Sequence, residues 1–158
     1  MNDTYKEYVE ELIKNNNTEL IACSSNDCYK DAIECIFNNA LFEVSWLIHD
    51  ESLMENIINR NICDSIIKFL NSGRTFNLYI NKRYPDGRFG QFRASLMGNY
   101  NNFNYKKISN IITKNNNAVI EYIVFDKQGY RIKPNVNKIE ALFCANDPAY
   151  AKSLLNVL

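Results

Sequence analysis

The chain contains very little histidine, proline and glycine. Its 158 residues include one His, three Pro and five Gly, so a histidine-rich metal site is excluded and histidine-dependent catalysis is confined to His49. No run approaches the roughly 20 consecutive apolar residues that span a bilayer, which predicts a protein without a membrane partner. Charge of one sign is not in excess either, because 18 basic residues balance 18 acidic ones. A site for nucleic acid or another polyanion would therefore have to be a local patch.

The five cysteines do not form a metal-binding pattern. Cys23, Cys28 and Cys35 are separated by four and then six residues, which is no standard zinc spacing, and we predict neither a metal nor a cofactor. The N-terminal residues are charged and amphipathic, unlike a secretory signal. We therefore expect a cytoplasmic protein whose cysteines are reduced, buried and structural. The Asn-rich, Pro-poor composition is typical of an AT-rich coding sequence and indicates a bacterial or phage source.

Apolar periodicity indicates a single α/β domain over residues 1–158. After an N-terminal helix at 3–15, strands and helices alternate along the first half of the chain. The predicted elements that follow are strand 20–23, a helix ending at 40, strand 41–48, helix 53–70, strand 74–81, strand 119–125, turn 126–129, strands 130–133 and 138–145, and helix 148–157. Such alternation favours parallel pairing with right-handed crossovers. The predicted fold is thus a mixed, mainly parallel sheet flanked by helices on both faces.

Residues 82–109 have a different character, predicted as loop with helices at 89–96 and 108–114. Basic and aromatic residues alternate there: Lys82, Arg83, Arg88, Arg93, Lys106 and Lys107 are interleaved with Tyr84, Phe89, Phe92, Tyr100, Phe103 and Tyr105. Basic side chains can follow phosphates while aromatic rings stack on bases. Phe89, Phe92 and Leu96 also have the spacing of a helix face packed on a sheet. Ligand contact and core packing are both consistent with the pattern.

His49 follows strand 41–48 at the carboxyl edge of the predicted sheet, where α/β proteins usually bind ligands. The adjacent Asp50 and Glu51 could orient its imidazole for general base catalysis. The alternative is a surface or helix-capping histidine.

Asp126 begins the sequence DKQG between two predicted strands. A β-turn in which Gly129 takes a positive φ explains this sequence without invoking chemistry. Arg131, on the returning strand, is expected to pair with a surface carboxylate, for which Glu140 is a candidate.

Residues 121–158, together with the earlier helix that leads into NSGRTFNLYI, resemble phospholipase-D-like phosphodiesterase domains. In that family an HxK…D strand supplies a histidine nucleophile, and a more distant variant carries HF.vvDg..yR. The positions that match the family pattern are Asp126, Gly129, Tyr130, Arg131 and Asn146. Glu121 stands where the variant has its histidine, and VIEYIVFD contains neither His nor Lys.

The resemblance implies a single phospholipase-D-like half without its nucleophile. We expect a non-catalytic binding or regulatory module, a homodimer, whose ligand is nucleic acid, a nucleotide or a partner protein. The expected ligand-binding residues are Lys82, Arg83, Arg88, Phe89, Phe92, Arg93, Asp126 and Arg131. Two alternatives remain: a phosphodiesterase or nuclease that uses His49 in a site shared across a dimer, and a structural protein-interaction domain.

Overall fold

The structure is a computed structural model that describes residues 3–111 and 118–158. The helices are α1 (Asp3–Lys14), α2 (Asn26–Asn39), α3 (Arg60–Asn71), α4 (Arg88–Asn99) and α5 (Pro148–Leu155), with a 3-10 helix at Glu51–Asn56. The strands are β1 (Leu20–Ala22), β2 (Glu43–Asp50), β3 (Thr75–Lys82), β4 (Phe103–Lys107), β5 (Glu121–Phe125), β6 (Gly129–Lys133) and β7 (Leu142–Cys144).

The strands form one sheet in the order β1-β7-β6-β5-β2-β3-β4. β3 pairs in parallel with β2 and with β4, while the other four pairings among the described residues are antiparallel. The predicted α/β class, with a mixed sheet and helices on both faces, is confirmed. The expectation of a mainly parallel sheet is wrong, because β5, β6 and β7 follow one another as an antiparallel meander and β1 joins β7 instead of β2.

The two faces of the sheet are covered unequally. The first face carries an apolar core that includes side chains of α1 to α4, centred on Trp46, Phe37 and Phe76. On the second face, α5 packs against β5 and β6 through Ala151 and Leu154. Burial along β3 alternates, with first-face side chains buried and second-face side chains partly exposed. The β3–β4 part of the second face is therefore open to solvent.

Side-chain caps set the helix boundaries where the sequence offers them. Ser25 accepts a hydrogen bond from the amide of Cys28 at the start of α2, and Pro148 occupies the first turn of α5. The predicted helix 53–70 is instead divided in two, because Asn59 caps α3 by accepting from the amide of Ile62.

The segment 82–109 is more regular than predicted. α4 extends to twelve residues, and β4 forms where a loop was expected, by pairing in parallel with β3. No helix forms at 108–111, and the rest of the predicted helix 108–114 lies outside the described residues.

Two cysteines depart from the expectation of reduced thiols. Cys23 and Cys28 form a disulfide, with their Cα atoms 5.9 Å apart, whereas Cys35, Cys63 and Cys144 are free. The bond ties the chain just after β1 to the first turn of α2. In the described parts of the chain, every helix is too short or too polar to cross a bilayer.

Candidate functional site

The parallel strands β2, β3 and β4 end at a common edge that carries several charged side chains. Asp50 lies opposite Lys82 in the β2–β3 pairing, and Lys107 lies opposite Ile80 in the β3–β4 pairing. Lys82 and Arg83 are both exposed, and Lys82 Nζ is 4.0 Å from Asp50 Oδ2. Within residues 3–111 and 118–158, Arg83, Lys106 and Lys107 take part in no ion pair.

Arg93 is not available to a ligand, contrary to the sequence prediction. Its guanidinium is 5% exposed and donates two hydrogen bonds to Glu51, of 2.8 and 3.0 Å. It also lies over the ring of Tyr105, 4.5 Å from the ring centre. The hydrogen bonds to Glu51 raise the pKa of Arg93. The pair fixes α4 to the 3-10 helix, and Glu51 additionally accepts from the Tyr84 amide.

Phe89 is buried within the fold, whereas Arg88 is exposed but bonded to Glu55. Phe89 is 2% exposed and meets Trp46 edge-on at 5.7 Å, so it belongs to the core and presents no ring face to a base. Arg88 donates to the carbonyl oxygen of Glu55, and its amide donates to the Glu55 carboxylate. That backbone hydrogen bond lowers the pKa of Glu55. Phe92 is partly buried against the same core.

Asp126 is a structural acceptor. Its carboxylate receives hydrogen bonds from three consecutive amides, those of Leu41, Phe42 and Glu43, at 2.8, 2.8 and 3.0 Å. The predicted turn is present, but Asp126 and Lys127, with φ of 56° and 54°, hold the left-handed positions that were assigned to Gly129. Gly129 instead begins β6, where an added Cβ would lie 2.2 Å from the Phe125 ring and 2.6 Å from the Ala145 carbonyl oxygen.

Arg131 and Glu121 lie on the first face among aromatic rings. Arg131 is 5% exposed, with its guanidinium 4.0 Å above the Tyr29 ring centre, so the predicted surface pairing with the exposed Glu140 is wrong. Burial lowers the pKa of Arg131. Glu121 accepts a 3.0 Å hydrogen bond from the His49 amide, and its pKa is raised by burial. Glu121, which the sequence resemblance placed at the histidine of the variant family, is thus a buried carboxyl group.

The imidazole of His49 has an amide as its neighbour. Its Nδ1 is 2.9 Å from Asn110 Oδ1, an arrangement in which Nδ1 donates and leaves Nε2 unprotonated in the neutral ring. The predicted orientation by Asp50 or Glu51 is wrong. The Asp50 carboxylate accepts from the amide and hydroxyl of Ser52, and Glu51 is held by Arg93.

The open part of the second face carries a row of polar side chains that the sequence reasoning missed. Ser45, Asn77 and Asn104 lie directly opposite one another on β2, β3 and β4. Asn104 Nδ2 donates to Asn77 Oδ1 at 3.0 Å, and Asn77 Nδ2 lies 3.3 Å from Ser45 Oγ. Tyr79 and Lys106 lie opposite each other two residues further along β3 and β4. A depression of about 290 Å³ is lined by Asn77, Tyr79, Asn104 and Lys106 together with Leu78 and Tyr105. The sequence TFNLYINK alternates only in part between polar and apolar residues, so the pattern gave at most a weak signal for this face.

Metal ligands are not grouped in the described residues, where no cluster of three or more His, Cys, Asp or Glu side chains could hold an ion.

No protein-family model and no curated protein matches the sequence. Solved structures do match. NucT from Helicobacter pylori is 13% identical, with a TM-score of 0.59 over 89% of this chain and 91% of that chain. Nuc from Salmonella typhimurium, a phospholipase D family member, is 12% identical, with a TM-score of 0.56 over 87% and 91%. TrmBL2, an archaeal chromatin protein that binds DNA, is 12% identical, with a TM-score of 0.62 over 98% of this chain and 57% of that chain.

These likenesses define the architecture. The chain has a phospholipase-D-like fold, as the sequence resemblance predicted.

Proposed function

We propose that the protein is a non-catalytic phospholipase-D-like module that binds single-stranded nucleic acid on the open face of β3 and β4. The observation that carries the proposal is the chemistry of this face: an aromatic ring, a row of amides and a lysine surround one depression. Nucleic-acid-binding sheets commonly use aromatic residues to stack bases, and amides to read base edges. A DNA-binding protein among the structural neighbours is consistent with this proposal.

The face offers a distinct role to each group. Tyr79 is partly buried against the second-face core, and the exposed part of its ring would stack on a base. Asn77 and Asn104 would hydrogen-bond to base edges. Their orientation is fixed in advance by the hydrogen bonds along the row, which reduces the entropic cost of binding. Lys106, exposed on β4, would contact a phosphate.

The cations at the strand ends extend this surface. Lys82 ends β3, Arg83 follows it and Lys107 ends β4. Lys82 and Lys107 have the strand register of the first face, so a nucleic-acid strand would meet these cations where it crosses the edge of the sheet. These three residues, with Lys106, supply the local positive patch that a chain of zero net charge needs. We therefore retain the predicted ligand-binding role for Lys82 and Arg83.

The non-catalytic part of the proposal rests on two positions. Glu121 replaces the histidine in the resemblance, and a buried carboxylate repels a phosphodiester instead of attacking it. His49, the single histidine, donates its backbone amide to Glu121, but among the described hydrogen bonds its imidazole meets the Asn110 side chain and no carboxylate. The homodimer and the cytoplasmic location stay predictions.

Fluorescence anisotropy with labelled 15-residue oligo(dT) and oligo(rU) tests the binding. Tyr79→Ala should weaken binding by about 1–3 kcal/mol, the range for one lost base stack. Lys106→Glu should weaken it and reduce the slope of log K against log salt by about 0.7, which corresponds to one phosphate contact with a single strand. Lys138→Glu, an equal charge change in the β6–β7 connection, is the control and should leave affinity and slope unchanged.

Two results would overturn the proposal. One is the absence of binding by the folded wild-type protein at low salt. The other is binding that Lys138→Glu weakens as much as Lys106→Glu, since this would indicate non-specific attraction to the whole molecule.

A further inference from the structure

A second surface lies at the amino end of β2 and shares no residue with the open face. There the loop before β2 meets the β5–β6 turn and the end of α5. We call it the turn surface, and its residues are Leu41, Phe42, Lys127, Lys152, Leu155 and Asn156. Two depressions of about 270 and 420 Å³ meet at Lys127, the first also lined by Phe42 and the second by Lys152 and Leu155.

The apolar part of the turn surface is exposed and rigidly held. Leu41 is 61% exposed and Phe42 is 70% exposed. Their amides, with that of Glu43, are all bound by the Asp126 carboxylate, and the Phe42 carbonyl oxygen accepts from the Thr75 amide. A loop fixed in this way loses little further entropy when a partner covers its side chains.

The basic side chains of the turn surface are concentrated at the second depression. Lys127 and Lys152 are exposed on either side of the second depression. Two carboxylates lie nearby: Asp126 is occupied by three amide hydrogen bonds, and Glu43 is partly buried in the first depression. The lining of the second depression therefore includes two lysines and no carboxylate, with Leu155 beside them, whereas both carboxylates line the first depression.

Lys127 adopts a conformation that its side chain does not favour. Its φ of 54° lies in the left-handed region, where glycine and asparagine are usual, and the second position of a tight hairpin turn is normally glycine. A lysine kept there gives up stability, and residues held in this way cluster at functional sites.

We propose that the turn surface docks an acidic amphipathic peptide segment of a partner protein, with carboxylates on Lys127 and Lys152 and apolar side chains on Phe42 and Leu155. Charge complementarity favours this occupant over a basic or neutral one. The surface has only two lysines, and the acidic Glu43 lines the first depression with one of them. This small positive charge favours a peptide over nucleic acid. This inference is independent of the proposed function, because the two surfaces use different residues.

The test starts from a phage-displayed library of 12-residue peptides, selected on the wild-type protein and counter-selected on Phe42→Ser. Enriched peptides should combine at least two Asp or Glu with Leu, Phe or Trp. A labelled enriched peptide should bind Phe42→Ser at least tenfold more weakly than wild type. It should bind Ile139→Ser, a change at another exposed apolar side chain (77% exposed), as tightly as wild type.

Lys127→Gly separates docking from a purely structural turn. Because glycine removes the left-handed strain, the melting temperature should rise by about 2–4 °C, while peptide affinity falls at least threefold. Lys127→Arg should keep both properties of the wild type. A rise in melting temperature without loss of affinity would overturn the role of Lys127.

Other outcomes also reject the proposal. Failure to enrich any peptide that distinguishes wild type from Phe42→Ser, or enrichment of basic peptides, overturns it. Concentration-dependent self-association in sedimentation velocity that Phe42→Ser abolishes would assign the surface to a second copy of this chain.

Discussion

At the residue scale, a few buried charged side chains organise the structure around the site. Glu51 is fully buried and accepts hydrogen bonds from Arg93 and from the Tyr84 amide. Through these bonds one carboxylate joins the 3-10 helix, α4 and the segment that follows β3. The basic and aromatic composition of 82–109 therefore serves two purposes, with Arg93 and Phe89 inside the fold and Lys82, Arg83, Lys106 and Lys107 at the surface.

Removal of Glu51 should be strongly destabilising. In Glu51→Ala the Arg93 guanidinium is left buried without its counter-charge, which costs about 3–5 kcal/mol in free energy of unfolding. Urea denaturation followed by circular dichroism measures this loss. Arg60→Ala, which breaks an exposed ion pair with Asp64 on α3, should cost less than about 1 kcal/mol. Similar losses in the two variants would contradict the assignment of Glu51.

Glu121 should make stability depend on pH. Burial raises its folded-state pKa above the ordinary value of 4.5, so the folded protein binds this proton more tightly than the unfolded chain. Its stabilising contribution is complete below about pH 4.5 and is lost as the pH rises through the folded-state pKa. Glu121→Gln keeps an acceptor for the His49 amide but does not titrate.

The free energy of unfolding of Glu121→Gln minus that of wild type should therefore increase between about pH 4 and pH 8. The other carboxylates affect the stability of both proteins equally, so their contributions cancel in this difference. Urea denaturation of the two proteins at each pH is therefore sufficient. A difference that stays constant or falls with pH would show that the pKa of Glu121 is not raised in the folded state.

At the scale of elements, pairing between strands determined secondary structure that the local sequence pattern did not predict. The residues of β4 read as loop because FNYKK is short and polar, yet pairing with β3 makes them a strand. The same pairing places Asn104 beside Asn77 and thereby completes the polar row on the open face.

The link between β1 and α2 should respond to reductant. Before reduction, thiol titration of the unfolded protein should detect three thiols, those of Cys35, Cys63 and Cys144. In the folded protein Cys35 should remain unreactive, because burial raises its pKa to about 12.

Reduction of Cys23–Cys28 should lower the free energy of unfolding by about 2 kcal/mol, the chain-entropy value for so short a loop. Cys23→Ser/Cys28→Ser should lose the same stability and no longer respond to reductant, whereas five titratable thiols before reduction would contradict the disulfide.

At the scale of the whole molecule, net charge is zero and one face of the sheet is partly open. A neutral molecule binds polyanions weakly through long-range attraction, so the proposed binding has to come from stacking and from the cations around β3 and β4. This is why the affinity is expected to depend on single residues of that face.

The whole protein should also be inactive on a generic phosphodiester. Hydrolysis of bis(p-nitrophenyl) phosphate by the wild type should equal that by His49→Ala, at protein concentrations high enough to form a dimer. This expectation follows from the proposed non-catalytic function, in which neither Glu121 nor His49 acts as a nucleophile. Activity in the wild type that His49→Ala abolishes, with unchanged circular dichroism, would instead support the site shared across a dimer.

The sequence by itself determined the α/β class, most helix and strand positions and the resemblance that the solved structures confirm at the level of fold. These follow from apolar periodicity, capping residues and turn residues, all of which act over a few neighbours in the chain.

Only the tertiary structure decided which charged residues are free. Glu51 and Arg93 are 42 residues apart, and Asp126 binds amides 83 to 85 residues away, so no local pattern reports that these groups are occupied. The antiparallel addition of β5, β6 and β7, and the limited reach of α5 that leaves β3 and β4 open, depend on packing between distant elements. Binding surfaces are set by such long-range burial, and for that reason the polar row and the turn surface became visible only in the folded chain.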